Sequence, residues 1–339
     1  MKNAFLGLCT LIVLFVNNNR LITTVPPYKI TNRIHLEGDG SWDYLTVDQL
    51  AQRLYVSHGT HVQVIDLKTD KFIGTIPDTK GVYGIAIASD FGKGYISCGR
   101  DTSVIVFDLK SLATTGKIKA TGANPDAILY DAFSKRVFVF NHSGKSTTVI
   151  DAAKNKVIGT IPLDGTVEFA VTDGNGKVFV NIEDISTIAV IDVKSLKVVN
   201  KWPVSPGEEP TGLAFDVKNQ RLFSVCSNKK MVVLDSKTGK VVQTVPIGAG
   251  CDGVAFDVKT RRIFSSNGEG TMTVVEEKSP NEYHVVETVT TQKGARTITL
   301  DSKSHRLFLS TAEREAPVGN ARPIIKPGTF VVLEVSPLK

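Results

Sequence analysis

Side chains able to bind cations or carry protons recur at one phase of this sequence. Asp43, Tyr83, Asp126, Glu168, Thr211, Asp252 and Arg296 each stand at the entry of a short apolar segment. A second set, His58, Cys98, Asn141, His142, Glu183, Cys226 and Asn267, closes the aromatic-rich segments that follow. Carboxylates aimed at one point raise each other's pKa or attract a cation. Imidazoles and amides add ligand atoms and hydrogen bonds. These groups are dozens of residues apart, so the chemistry exists only if a repeating fold gathers them.

That repeat is legible. Tyr44–Asp48 leads to Arg53–Ser57, Gly84–Ile87 to Gly94–Ser97, and Ala127–Asp131 to Arg136–Val139. The same pairing returns at Phe169, Gly212, Gly253 and Thr297, each with an aromatic second segment after it. A third segment ends in an acid at Asp66, Asp108, Asp151, Asp192, Asp235 and Glu276, at intervals of 41 to 43 residues. Most units then add a turn and a fourth segment, such as Lys240–Val245. Four antiparallel strands in about 43 residues describe a propeller blade, which buries its faces only by stacking on neighbours. The last unit, ending Phe330–Val335, has no fourth strand after it. An orphan strand, Ile30–Leu36, precedes the first. Pairing the two closes the ring and removes a sheet edge. The expectation is all-β: a seven-bladed β-propeller of four-stranded antiparallel blades, closed by the N-terminal strand completing the last blade.

The segments Arg53–Ser57, Gly94–Ser97 and Lys177–Asn181 resemble degenerate YVTN repeats. The turn Asp235–Lys240 and the blade entries Asn124–Asp126 and Glu209–Gly212 are similar to the same group. The chain thus resembles, over about residues 28–336, the YncE-like, YVTN-type secreted β-propellers of bacteria. The resemblance implies a periplasmic or secreted binding protein, with single-stranded DNA binding known for the family's namesake. No base-stacking motif of this chain matches residue by residue.

The composition agrees with one large globular unit. Of 339 residues, 42% are hydrophobic and 22% charged, which excludes a disordered or collagen-like chain. No apolar run reaches the ~18 residues of a membrane span. Lys2 followed by the apolar run Ala4–Val16 reads as a signal peptide over residues 1–19. Residues 20–29 read as a linker and 30–336 as the propeller, with an insertion at 311–327 in blade seven. Leu6–Cys9 is a poor match to a lipoprotein box. Loss of Cys9 with the signal leaves three cysteines, so no disulfide framework is expected. Cys226 and Cys251 fall in neighbouring blades; the expectation is two buried free thiols, with a bridge left open.

Propeller topology sorts residues onto two rims. The blade-entry and second-to-third-strand loops share one rim, the mouth of the channel. There the candidate ligand-binding residues are Asp43, His58, Tyr83, Asp126, His142, Glu168, Glu183, Asp252, Asn267 and Arg296. The insertion offers Arg314 and Arg322 to an anion beside it. Trp42 either joins Asp43 and Tyr44 in a contact patch or wedges between blades. The opposite rim carries Lys-rich hairpins, among them Lys135–Arg136, Arg261–Arg262 and Lys237–Lys240. The net charge of +6 is therefore expected to lie mainly away from an acidic mouth.

No covalent-haem motif, Gly-x-Ser-x-Gly elbow, P-loop or paired-Cys metal motif occurs. The leading expectation is a non-catalytic binding or scaffold module, a monomer whose partner is a small molecule, ion or protein at the mouth. Catalytic residues are not assigned, and cofactor and metal are left open. A lactonase- or hydrolase-like enzyme using the mouth acids and His is one alternative. Nucleic-acid binding through the basic hairpins is another, although few aromatics are interleaved to stack bases.

Overall fold

The computed structural model describes residues 27–38, 40–315 and 324–338. The expected signal, Cys9 and Arg322 lie outside them. Seven four-stranded antiparallel sheets follow one another in chain order. Blade one comprises Leu45–Asp48, Arg53–His58, His61–Asp66 and Lys71–Ile76. In blade seven the strand Tyr28–His35 pairs with Val331–Pro337, outside Arg306–Thr311 and Thr299–Asp301. The chain's two ends thus close the ring as expected. No helix among the described residues is long and apolar enough to cross a membrane.

Each blade packs on the next through one aromatic of its second strand. Tyr55, Tyr95, Phe138, Phe179, Phe223, Phe264 and Phe308 are all buried, none more than 1% exposed. Removing such a ring costs about 3–5 kcal/mol, so the periodic aromatic is a periodic stability device. Near the axis, glycines allow inner strands to touch. A Cβ on Gly212 would lie 2.9 Å from Gly253 Cα, which only a glycine avoids.

The hairpin rim is held by charge and by turn chemistry. The residue opening the second strand reaches a backbone carbonyl of the next blade in five cases. Arg53 donates to Leu109 O at 2.5 Å, Lys93 to Ala152 O at 3.0 Å and Arg221 to Pro280 O at 2.7 Å. Arg136 donates to Val193 O, and Arg306 to Leu67 O. The acids ending the third strands cap the hairpins that follow. Asp66, Asp108, Asp192 and Asp235 each accept backbone N–H bonds from the residues two and three positions on. That is the Asx-turn chemistry that fits Asp to such turns.

Candidate functional site

The mouth residues are set by a second periodic device, at the penultimate position of the second strands. Ser97 donates to Asp126 O and Ser266 to Arg296 O. Asn181 Nδ2 donates to Thr211 O at 2.8 Å, and Thr211 Oγ1 to Cys251 O at 3.1 Å. Asp43 is held from both sides: its N–H bonds Ser57 Oγ at 2.9 Å, and Thr297 Oγ1 bonds its carbonyl at 2.7 Å. Small hydroxyls and an amide thereby fix the backbone from which the functional side chains project inward.

Those side chains form two halves. In the first, Arg296 Nε lies 2.8 Å from Asp252 Oδ2 and its Nη2 3.9 Å from Asp43 Oδ2. In the second, His142 Nδ1 lies 3.0 Å from Glu168 Oε1 and 4.0 Å from Asp126 Oδ2. It also lies 3.2 Å from Val167 O. One ligand atom each of His142, Glu168 and Glu183 sit within 4.8 Å of one another. Arg296 compensates the first half. Among the described residues no lysine or arginine pairs with Asp126, Glu168 or Glu183.

The crowding of like charge shows in the proton affinities. Burial, then the Asp252 charge, pushes the Asp43 carboxyl up to about 8, against the pull of Arg296. Burial, then Asp43, Glu168 and Asp252, holds Asp126 well above the usual carboxylate range. Burial raises Asp252 to about 6, and burial with Glu168 raises Glu183 to about 6. His142 moves the opposite way in charge preference: its bond to Glu168 favours the protonated ring. Carboxylates with raised pKa beside an imidazole are equipped to take a cation or to exchange protons.

Tyr44 lies under the acids. Its hydroxyl is raised well above its ordinary value, by burial and then by Asp126, Glu168, Asp43 and Asp252. Its ring meets Phe169 at 5.3 Å between centroids, joining blades one and four across the axis. From there an apolar channel cavity of about 510 Å³ continues, lined by residues such as Ile85, Ile128, Phe215 and Leu300. Tyr83 stands at the mouth over Gly99, where a Cβ would come within 2.4 Å of its ring.

Two expected mouth residues are elsewhere. His58 is fully buried, stacked on Phe330 at 3.9 Å and bonded through Nδ1 to Gln63 at 3.0 Å. Asn267 is fully buried and bonded to Thr271, Thr273 and Ser265. Both occupy the last position of a second strand, which in every blade packs between sheets. Cys98, Asn141, Ile182, Cys226 and Thr311 hold the same position and are all buried, so it is a core position whatever its polarity. In blades three and four the residue after it, His142 and Glu183, stands beside Glu168 at the mouth.

The insertion's flanks bridge at Arg314 and Ile325. Arg314 lies over Trp42 at 5.4 Å, and Trp42 is buried against Phe330. Trp42 is thus the wedge of the two roles open to it. Arg314, Arg296, Lys293 and Trp42 line a cavity of about 470 Å³ beside the acids. A larger cavity, about 920 Å³, lies apart from the mouth, along His35, His61, Gln63, Phe72 and Lys80. Its lining includes none of the mouth acids. Cys98, Cys226 and Cys251 are buried free thiols pushed up to about 12 by burial, and Cys251 Sγ donates to Cys226 O at 3.1 Å. That arrangement is not a disulfide and not a reactive thiolate.

No family model and no curated protein matches this sequence. Solved structures do. A chain of the Kuenenia stuttgartiensis hydrazine synthase is similar with a TM-score of 0.71 and 16% identity, over 81% of this chain and 94% of that one. The RRP9 WD40 repeats are similar at 0.78 and 10%, over 92% and 99%. A chain of the mitotic checkpoint complex is similar at 0.73 and 12%, over 91% and 95%. At such identities the likeness shows the fold alone, a seven-bladed WD40-like propeller.

Proposed function

We propose that this chain is an exported, non-catalytic binding or scaffold module that takes a positively charged ligand at the channel mouth. A propeller fold suits such a module. The observation that carries the reading is the half-mouth of Asp126, Glu168 and Glu183, where three carboxylates converge and, among the described residues, none is ion-paired to a lysine or arginine. Burying unmatched carboxylates is costly, and a cation supplied from outside relieves that cost. The positively charged start followed by Ala4–Val16 supports export to the periplasm or beyond. So does the resemblance to YncE-like propellers.

The DNA-binding alternative fares less well. Arg53, Lys93, Arg136, Arg221 and Arg306 are engaged by neighbouring blades, which leaves fewer hairpin cations for phosphates. The hydrolase alternative uses the same mouth acids.

A thermal-shift panel of small amines, guanidines, carboxylates and phosphates tests the binding reading. Stabilisation by cationic members is expected, and stabilisation by anionic members alone would overturn it. Lactone or ester turnover abolished by Asp126→Asn or Asp252→Asn would overturn the non-catalytic part.

A further inference from the structure

Within the mouth, the two halves differ in more than charge balance. The half built by blades three and four offers a mixed donor set. The inner strand Val167–Thr172 carries Glu168, while His142 and Glu183 each follow the end of a second strand. All three are only partly buried, so their side chains can turn. The three ligand atoms lie within 4.8 Å of one another, and donors around a tetrahedral ion at about 2.0–2.2 Å stand about 3.3–3.6 Å apart, so the side chains would close in by up to about 1.5 Å to share one ion. His142 Nδ1 is the nitrogen that faces Glu168 at 3.0 Å, and on binding an ion it would give up its 3.2 Å contact with Val167 O.

A second observation concerns the carboxylate beside this set. Among the described residues Asp126 Oδ1 is buried and finds no hydrogen-bond partner, and Asp126 as a whole is 8% exposed. Its other oxygen faces His142 at 4.0 Å. A buried polar atom left unpartnered costs about 1–3 kcal/mol, and an ion that drew the Asp126 carboxylate into its shell would relieve that cost.

We infer that His142, Glu168 and Glu183 bind one divalent transition-metal ion, with Asp126 as the supporting carboxylate. This deepens, and rests on, the reading of the mouth as a cation site. One imidazole with carboxylates suits zinc, cobalt or manganese. Magnesium and calcium favour all-oxygen sets. Three protein donors leave a coordination position open toward the mouth, where a ligand's oxygen or nitrogen would complete the shell.

The test uses the full mature chain stripped with chelator and dialysed into chelator-free buffer. Zinc is titrated calorimetrically and cobalt is followed by its visible absorption, with magnesium as the comparison ion. The expected result is one zinc per chain, a cobalt spectrum that zinc abolishes, and no comparable magnesium binding. His142→Ala, Glu168→Gln and Glu183→Gln should each weaken zinc by more than about 100-fold, and Asp126→Asn by about 10- to 100-fold. Circular dichroism confirms that each variant is folded.

Equal zinc affinity in His142→Ala, or no zinc and no cobalt signal in wild type, overturns the inference. A parallel titration with 1,4-diaminobutane separates the two levels. Diamine binding without zinc binding removes the metal site and leaves the mouth reading standing; failure of both removes the mouth reading as well. Diamine binding that survives His142→Ala while zinc binding is lost supports the metal site specifically.

Discussion

At the hairpin rim, Arg53, Lys93, Arg136, Arg221 and Arg306 each donate to a carbonyl of the next blade, and the turn acids each cap their own hairpin. At the mouth rim, Asp126, Glu168 and Glu183 gather, and the basic group paired with them among the described residues is one imidazole. The first arrangement repeats from blade to blade, because every blade must be fastened to its neighbour. The second does not: the equivalent mouth positions hold Asp43, Tyr83, Asp126, Glu168, Thr211, Asp252 and Arg296. In a closed ring of repeats, a position that recurs is doing structural duty. A position that varies in type while keeping its place is free for a ligand. Two nearby rims therefore carry charge for different ends, and the +6 total describes neither.

The largest expected effect breaks the hairpin side of this contrast. Arg306 pairs with Asp70 at 2.7 Å and with the buried Glu334 at 3.2 Å, and bonds Leu67 O. Arg306→Ala leaves the buried Glu334 with hydroxyl bonds from Thr31 and Ser336 but no opposite charge, which should cost about 3–5 kcal/mol. The midpoint of urea unfolding measures this. A change below about 1 kcal/mol would mean that the ring is not fastened by its cations.

The next effect sets the mouth acids against the turn acids. Asp43 is raised to about 8 and Asp252 to about 6, each mainly by burial, from an ordinary 3.8. The folded chain keeps these protons at pH values where the unfolded chain has lost them. Their contribution is full below about pH 4 and is lost as pH rises through 6 and 8. Each group can tilt stability by up to about 1.4 kcal/mol per pH unit in that window. Asp66, Asp192 and Asp235 have depressed pKa values despite slight burial, because turn N–H and hydroxyl groups bond them. Their smaller contribution has the reverse sign: present above pH 4 and lost as pH falls. Asp43→Asn should therefore flatten the decline of the urea midpoint between pH 4 and pH 8 and leave the acid limb in place. An unchanged decline would show that the mouth acids do not carry it.

The smallest effect concerns the turns. The residue just before the second strand has positive φ in every blade, and in blade three it is Lys135, at 58°. Its ion pair with Asp90 is exposed and contributes little. Lys135→Gly should therefore be neutral or stabilising, by up to about 1 kcal/mol. Clear destabilisation in a thermal melt would assign this hairpin cation a fastening role it does not have in the geometry.

Much of this was legible from residue types alone. Repeat spacing gave seven blades, and the unmatched first and last strands gave the closure. The blade-entry phase gave Asp43, Asp126, Glu168, Asp252 and Arg296 as neighbours, and the structure brings them together. His58 and Asn267 were misplaced because a strand's last residue and the loop residue after it point in different directions. One step of the two-residue alternation separates the interblade core from the mouth. The hydroxyl device at Ser97 and Ser266 carries no mark in the sequence, because a buried serine in a strand looks unremarkable until its acceptor in the next blade is known. The blade-clamping role of Arg53 and Arg306 was hidden likewise: their acceptors are backbone carbonyls, which no sequence pattern marks.

The most direct test of the mouth as a cation site is calorimetric titration of the purified protein with 1,4-diaminobutane and, separately, succinate. Wild type, Asp126→Asn/Glu168→Gln, and Lys237→Glu on the hairpin rim are compared. The expected result is diamine binding to wild type and to Lys237→Glu, its loss in the mouth double variant, and no binding of succinate to wild type. Diamine affinity that survives the double variant, or succinate binding in preference to diamine, would contradict the account.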